Sequence, residues 1–174
     1  MATSTASTSS QQLEGTTEQK ERKLPRGFAV LEYIGFKLDF ATAGGVQGRF
    51  TVSDRSCQPF GVLHGGISAF IAESLASIGA EIASNWKRIA GIELSMNHLH
   101  AIRIGEEVVA NATPLMVGNR LQVWDVKLST SKPQDSNTDT NSMELSAVAR
   151  VTLIVGLPSE GSPAKELLQQ YSKL

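Results

Sequence analysis

The sequence contains a single cysteine, Cys57, and this scarcity limits what the protein can be. One cysteine excludes a disulfide within the chain and is typical of a protein from a reducing compartment. No base stands next to Cys57 in the sequence, so we interpret it as a small packed side chain rather than a nucleophile. No stretch approaches the ~20 apolar residues that are needed to span a bilayer.

The chain also lacks a surplus of charge of either sign. Its 16 Lys and Arg residues and 17 Asp and Glu residues give a formal net charge of −1, which provides no basic excess for nucleic acid. With 174 residues and 41% hydrophobic side chains, the chain is long enough to bury a core. We therefore expect one folded domain that binds neither nucleic acid nor a membrane.

Three segments of the chain differ in composition. Residues 1–23 are rich in Ser, Thr, Gln and Glu and hold almost no large apolar side chains, which predicts a disordered tail. Residues 24–157 carry the apolar patterns of the folded domain. Residues 158–174 form a C-terminal tail that ends in Ser172-Lys173-Leu174, the tripeptide that the peroxisomal import receptor recognises. This ending predicts a location in the peroxisomal matrix.

A long apolar helix followed by a series of strands predicts an α+β fold. Five large apolar residues recur at helical spacing between residues 65 and 83 and form one stripe: Ile67, Ile71, Leu75, Ile78 and Ile82. Strand patterns occupy 36–41, 46–52, 88–100, 107–117, 121–129 and 142–155. A short helix or turn is expected at 28–34, a polar loop at 130–141 and a short helix at 165–171. Strands joined by hairpins form an antiparallel sheet, which must wrap around the long helix to bury it.

Positive charge is missing around this helix. No Lys or Arg stands between residues 55 and 87, and the only charged residues there are Glu73 and Glu81. Glu73 lies nearly opposite the apolar stripe, among small side chains: Ala69, Ala76, Ser77 and Ala80. A helix side that faces water would carry Lys, Gln and several Glu, so we expect this side to pack against another surface. Glu73 then has no positively charged residue near it in the sequence. A carboxylate without such a partner is typical of a catalytic base or nucleophile.

The helix also has a distinctive start. Gly65 and Gly66 stand where free backbone N–H groups and the positive end of the helix dipole can hold developing negative charge. Glu73 follows eight residues later, roughly 12 Å along the helix axis. One small reacting centre cannot contact both groups of a single helix, so a joint role for them requires two copies of the chain. The spacing predicts a symmetric homodimer with active sites shared at its interface.

An ordered set of residues precedes and occupies the helix: Gln58, His64, Gly65, Gly66, Glu73 and Ser77. In this order and spacing, the set resembles the hotdog-fold acyl-CoA thioesterases. The similarity is strongest to the branch that acts on aromatic acyl-CoA esters, such as 4-hydroxybenzoyl-CoA and 1,4-dihydroxy-2-naphthoyl-CoA. It continues through residues 91–98 and 112–124 and covers roughly residues 31–155. It implies the hotdog fold and, because this branch carries Glu on the helix, a tetramer built from two dimers.

The resemblance implies a division of roles in thioester hydrolysis. The Gly65 N–H would stabilise the oxyanion, although a glycine here also suits a tight strand-to-helix turn. Glu73 would act as nucleophile or as general base, and the sequence leaves both open. Ser77 would position water or the carboxylate. Gln58 and His64 would orient the thioester.

The candidates for binding coenzyme A are more dispersed. Gly66 would support the oxyanion donor, and His98 would line the pantetheine or acyl channel, as in relatives. Phosphate groups favour Arg side chains and turn amides, for which the sequence offers Arg103, Asn119, Arg120 and Arg150. His98 and His100 stand two apart, on one side of a predicted strand, which could suggest a metal pair, but no third ligand completes a metal site. We expect no metal and no cofactor, since coenzyme A is part of the substrate and a product.

Together these patterns predict a peroxisomal acyl-CoA thioesterase. The resemblance and the C-terminal tripeptide imply hydrolysis of 1,4-dihydroxy-2-naphthoyl-CoA to 1,4-dihydroxy-2-naphthoate and CoA in phylloquinone (vitamin K1) biosynthesis. The first alternative is a broader aryl or fatty acyl-CoA thioesterase. A hotdog hydratase would need a His/Asp pair, and no Asp lies between Asp54 and Asp125. A non-catalytic acyl-CoA-binding protein would need a damaged site or a fused DNA-binding segment, and the sequence has neither.

Overall fold

The computed structural model describes residues 28–131, 143–158 and 164–171. Their elements are α1 (Ala29–Tyr33), β1 (Lys37–Thr42), β2 (Gly45–Thr51), α2 (Gly65–Ala83), β3 (Arg88–His98), β4 (Glu107–Val117), β5 (Leu121–Ser131), β6 (Met143–Leu157) and α3 (Lys165–Leu168). The strands form one antiparallel sheet in the order β1-β2-β4-β5-β6-β3. Helix α2 contacts every strand, so the sheet wraps around it. The predicted α+β hotdog architecture is confirmed.

Helix α2 is buried on more sides than its apolar stripe indicates. Ile71, Leu75 and Ile78 of the stripe are buried, but Ala76 and Ala80 are fully buried as well. The expectation that the small side chains near Glu73 pack against another surface is confirmed for these two alanines, and the surface is the sheet of the same chain. They lie in the core of the same chain, because small side chains let the surrounding strands approach the helix closely.

The apolar character of α2 also has a structural explanation. Within the described ranges, α2 is the one helix that is long and apolar enough, by length and composition alone, to cross a membrane. The core helix of a globular domain meets the same criterion, and the sheet of this chain surrounds α2. Its composition is thus accounted for by burial within the fold.

One buried group of side chains joins α2 to the sheet. A Cβ at Gly79 would overlap the ring of Trp124, so only glycine lets this part of α2 lie on β5. Trp124 Nε1 donates a hydrogen bond to Gln122 Oε1 at 3.0 Å. Gln122 Nε2 in turn donates to the Ala80 carbonyl of α2 at 3.3 Å. This buried chain of hydrogen bonds favours one position of the helix along the sheet.

The boundaries of the elements follow the sequence patterns closely. Helix α2 and strand β4 match their predicted bounds, while β3 ends at His98 rather than at residue 100. The predicted polar loop over 130–141 begins too early, because Thr130 and Ser131 still pair with β6. The rest of that loop, the predicted N-terminal tail over 1–23 and the tripeptide 172–174 lie outside the described residues.

Candidate active site

Helix α2 begins at Gly65 and is capped by the residue before it. His64 has an extended backbone (φ −70°, ψ 126°), and its Nδ1 accepts a hydrogen bond from the Gly66 N–H at 2.9 Å. Such a cap satisfies one of the free N–H groups at a helix start. Because Nδ1 is the acceptor, a neutral His64 ring carries its proton on Nε2. The two residues therefore form one rigid helix start.

The cap leaves Gly65 as the free donor at this helix end. No described residue accepts a hydrogen bond from the Gly65 N–H, whereas the Gly66, Ile67 and Ser68 N–H groups all donate to His64. The His98 imidazole lies against Gly65, since a Cβ at Gly65 would be 3.2 Å from His98 Cε1. Of the two glycines, Gly65 thus has the amide that is available to an oxyanion.

A tight turn brings Gln58 next to this helix start. The Gln58 N–H donates to the Val62 carbonyl at 2.8 Å, and the Gly61 N–H donates to the Gln58 carbonyl at 2.9 Å. Gly61 has φ +73°, a conformation that favours glycine. The side-chain Oε1 of Gln58 accepts from the Phe60 N–H at 3.0 Å, so its Nε2 amide group is left to donate elsewhere.

The turn and the helix start border a cleft of about 310 Å³. Its lining mixes polar and apolar side chains: Gln58, Val62, Leu63, Gly65, Ser68, His98, Leu99, His100, Ala101, Ile102, Ser146 and Ala147. A volume of this size suits part of a small-molecule ligand. The structure therefore brings three of the predicted site residues together, namely Gln58, Gly65 and His98.

Glu73 lies elsewhere on α2, at the open edge of the sheet. Its side chain is exposed in the single chain and does not line the cleft around Gly65. Its carboxylate contacts Gly91 of β3, the edge strand that pairs with β6 on one side only. Ser77 follows one helical turn later on the same side and is half-buried. The predicted separation of Glu73 from Gly65 is thus present within one chain.

One predicted phosphate ligand, Arg103, lies far from two others, Asn119 and Arg120, in a single chain. Arg103 is near the cleft, because its backbone pairs with Val62, which lines the cleft. Asn119 and Arg120 belong to the hairpin turn that joins β4 to β5. The eleven residues of β4 separate that turn from Arg103 by roughly 35 Å. One chain therefore cannot use both groups on the same phosphate.

Arg150 occupies a different surface from the cleft. Arg150 lies on β6 between Ala149 and Val151, which are both buried. Successive side chains of a strand point to opposite faces, so the Arg150 side chain points away from α2. Its Nη2 lies 3.9 Å from Asp125 Oδ1 on the neighbouring strand β5. The side chain is 61% exposed, so this pair contributes little to stability.

The two histidines that stand two apart in the sequence both line the cleft, but they do not lie on one strand. His98 is the last residue of the strand, whereas His100 follows it, and the His100 Nε2 lies 4.0 Å from Glu144 Oε1. The expectation that both lie on one side of a strand was therefore wrong. Across residues 28–131, 143–158 and 164–171, no group of three His, Cys, Asp or Glu side chains is placed to hold a metal ion.

Some residues of the site were not predicted from the sequence. Ser68 lines the cleft one turn after Gly65. Residues three apart on a helix lie on the same side, so this spacing from Gly65 could have identified Ser68. Ser146 and Ala147 reach the cleft from β6, and no local pattern marks them. Gly91 contacts Glu73, and a glycine inside a strand pattern indicates a close approach of this kind.

The chain matches known proteins over most of its folded part. The family model of the Thioesterase superfamily matches residues 60–136. A 1,4-dihydroxy-2-naphthoyl-CoA thioesterase 2 from Arabidopsis thaliana is 48% identical over 128 residues, which are 74% of this chain and 80% of that relative. The chain belongs to the thioesterase superfamily. The predictions of the family and of an acyl-CoA thioesterase are thereby confirmed.

Further relatives agree with the assignment of this chain to the thioesterase superfamily. A 1,4-dihydroxy-2-naphthoyl-CoA hydrolase from Listeria monocytogenes is 36% identical over 99 residues, which are 56% of this chain and 80% of that protein. The crystal structure of a thioesterase from Haemophilus influenzae superposes with a TM-score of 0.62 at 30% identity. That match covers 75% of this chain and 85% of the crystallised one. Sequence and fold therefore lead to the same enzyme class.

Proposed function

We propose that this thioesterase hydrolyses an aromatic acyl-CoA, namely 1,4-dihydroxy-2-naphthoyl-CoA, to 1,4-dihydroxy-2-naphthoate and CoA. The plant relative at 48% identity and the Listeria relative both carry this substrate in their names, which supports the choice. Phylloquinone biosynthesis is the pathway that such a reaction serves. The reaction needs no cofactor and no metal, because a thioester carbonyl is already electrophilic.

The observation that carries the proposal is the free Gly65 N–H at the wall of the cleft. The other first-turn N–H groups donate to His64, so this amide is the one left for a ligand. A fixed backbone donor stabilises an oxyanion with little reorganisation when charge develops on the carbonyl oxygen. Gln58 lines the same cleft, and its Nε2 group would be a second donor for the thioester.

The second half of the active site is Glu73 of a partner subunit. Glu73 is exposed beside the unpaired edge of β3 and lies away from the cleft of its own chain. Ile92, in the same strand, leaves 58% of its surface exposed, which supports contact with another copy along this edge. A symmetric pair would give two equivalent sites, each with Gly65 from one subunit and Glu73 from the other. We extend this to a tetramer of two such dimers.

The chemistry follows from this arrangement. The thioester oxygen accepts from the Gly65 N–H, while Glu73 adds to the carbonyl carbon or removes a proton from the water that adds. Ser77 lies one turn from Glu73 and orients that water or the carboxylate. The C–S bond then breaks, and the departing CoA thiolate takes up a proton. In the nucleophilic route, water subsequently hydrolyses the anhydride on Glu73.

Coenzyme A extends from this centre along the surface of both subunits. His98 packs beside Gly65 and lines the path of the thioester arm. Arg103 is the phosphate ligand nearest the cleft of its own chain, while Asn119, Arg120 and Arg150 serve as ligands only from another subunit. Gly66 contributes through the His64 cap rather than through its own amide.

The substrate assignment is tested by comparing acyl groups directly. Release of free thiol should be faster from 1,4-dihydroxy-2-naphthoyl-CoA than from palmitoyl-CoA by about tenfold or more in kcat/KM, with benzoyl-CoA in between. Glu73→Ala protein assayed with the same three esters supplies the background rate for each. Equal kcat/KM on palmitoyl-CoA would replace the aromatic assignment with a broad acyl-CoA thioesterase.

The tripeptide Ser172-Lys173-Leu174 supports a proposal for the location of the protein. We propose import into the peroxisomal matrix through Ser172, Lys173 and Leu174. The full chain with a fluorescent protein at its N-terminus should coincide with a peroxisomal marker. The same fusion without Leu174 should remain in the cytosol. If the shortened fusion still enters peroxisomes, the tripeptide is not the signal.

A further inference from the structure

Strand β3 contains a glycine that its backbone does not require. The glycines with left-handed φ values in the described segments are Gly35, Gly61, Gly105 and Gly156, and Gly91 is not among them. A glycine inside a strand weakens it, because it loses more conformational freedom on folding and has no side chain to pack. The reason for glycine at this position must therefore lie in what surrounds it.

The space that a side chain at residue 91 would occupy is filled by Glu73. A Cβ built on Gly91 would lie 2.5 Å from Glu73 Oε1, 3.3 Å from its Cδ and 3.7 Å from its Cγ. These are the three nearest heavy atoms, so Glu73 supplies the closest contacts at this position. The end of Glu73 thus rests in a slot that exists because residue 91 has no side chain.

A clash at this slot would displace the carboxylate rather than disrupt the fold. Glu73 is exposed, and its carboxylate is the far end of a flexible side chain, so it can move away from an added methyl group. The contrast is Gly79, where the fully buried ring of Trp124 fills the corresponding space and cannot move aside. The two glycines therefore have different purposes, one for packing and one for the position of an acid.

The strand is also irregular at this point. Its pairing with β6 shifts register between Gly91 and Glu93. Bulges of this kind bend a strand and redirect the side chains near it. The irregularity lies on the edge strand, beside the carboxylate that would have to reach a substrate held by another copy.

We propose that Gly91 is a positioning residue for Glu73. The slot holds the carboxylate against the edge of β3 and keeps it in the orientation needed to reach the thioester carbonyl. This inference rests on the proposed catalytic role of Glu73 and adds to it a residue that does not itself contact substrate. Its effect should therefore appear in the rate of the chemical step.

Gly91→Ala should lower kcat about 10- to 100-fold and change KM less than about threefold, because a displacement of ~1 Å at a reacting group has effects of this order. Thiol release from 1,4-dihydroxy-2-naphthoyl-CoA measures both constants. Gly44→Ala is the matched control, since a Cβ there would meet nothing closer than Thr42 Oγ1 at 3.9 Å. A Gly91→Ala enzyme with kcat within twofold of the parent would overturn the inference.

A double-mutant cycle separates a displaced carboxylate from a weakened strand or dimer. Aspartate is shorter by one methylene, so its carboxylate does not reach the slot. Glu73→Asp should therefore cost at least about fivefold less in kcat in the Gly91→Ala background than in the parent. The same cost in both backgrounds would contradict a positioning role, because general damage to the fold or the dimer lowers all rates alike.

Glu73→Ala distinguishes this inference from the proposed function. If Glu73→Ala keeps more than a tenth of the parent turnover, the catalytic role of Glu73 fails and the role of Gly91 fails with it. If Glu73→Ala is inactive while Gly91→Ala retains full kcat, the catalytic role stands and only the positioning role is rejected.

Discussion

Glu73→Gln and Glu73→Ala should each lower kcat by about 10²–10⁴, the range for losing a positioned acid–base group. Glutamine keeps the shape of the side chain that fills the slot at Gly91 but has neither a nucleophilic oxygen nor a basic one. KM should change little, because the proposed role of Glu73 lies in the chemical step and other residues hold the rest of the coenzyme A ester. Steady-state thiol release measures both constants.

The other carboxylate of α2 provides the control for this result. Glu81 is half-buried, stands eight residues after Glu73 and is not part of the proposed site. Glu81→Gln should therefore keep kcat within about twofold of the parent, since surface substitutions away from special features have small effects. Turnover above a tenth of the parent in Glu73→Ala would exclude Glu73 as the catalytic group.

Gly65→Pro should lower kcat about 10²–10³-fold, the usual effect of removing one oxyanion donor. Proline lacks the N–H yet is favoured at the first position of a helix. The extended backbone of His64 (φ −70°, ψ 126°) is the conformation that a residue before proline adopts, so the helix start should survive. Gly65→Ala keeps the N–H and adds a Cβ beside His98, so it measures the effect of bulk alone. Equal losses in the two variants would reject the oxyanion role.

The same substitution tests whether two chains build each site. A mixed dimer of one Glu73→Ala chain and one Gly65→Pro chain keeps both groups intact at one of its two sites. Such dimers, purified through two different affinity tags, should regain about half of the parent kcat, although each variant alone is nearly inactive. Verified mixed dimers without recovery would place Gly65 and Glu73 in the same subunit.

The proposed two-chain site explains why the carboxylate of Glu73 is exposed in the single chain. Glu73 contacts Gly91 on its own subunit, and its other side is open at the edge of β3. A second copy would cover that side and bring its cleft toward the carboxylate. The proposed site would therefore be incomplete in one chain, and activity should depend on the dimer.

Local periodicity and the fixed geometry of a helix were sufficient to predict several features of this protein from its sequence. The limits of α2 and of β4 could be read from apolar spacing, because each element repeats with its own period. The separation of Gly65 and Glu73 along α2 followed from the rise of a helix, and the prediction of a two-chain site depends on that separation. The sequence order of Gln58, His64 and Gly65 likewise placed all three at one helix start.

Other features depended on packing between distant segments, and local patterns did not identify which residues would meet. Ala76 and Ala80 face the core rather than a partner, because the sheet curves around α2 on sides that helix periodicity cannot identify. Ser146 enters the cleft from β6, and Gly91 receives Glu73 across the gap between strand and helix. Such contacts join residues far apart in the chain, so they arise only when the strands have closed around the helix.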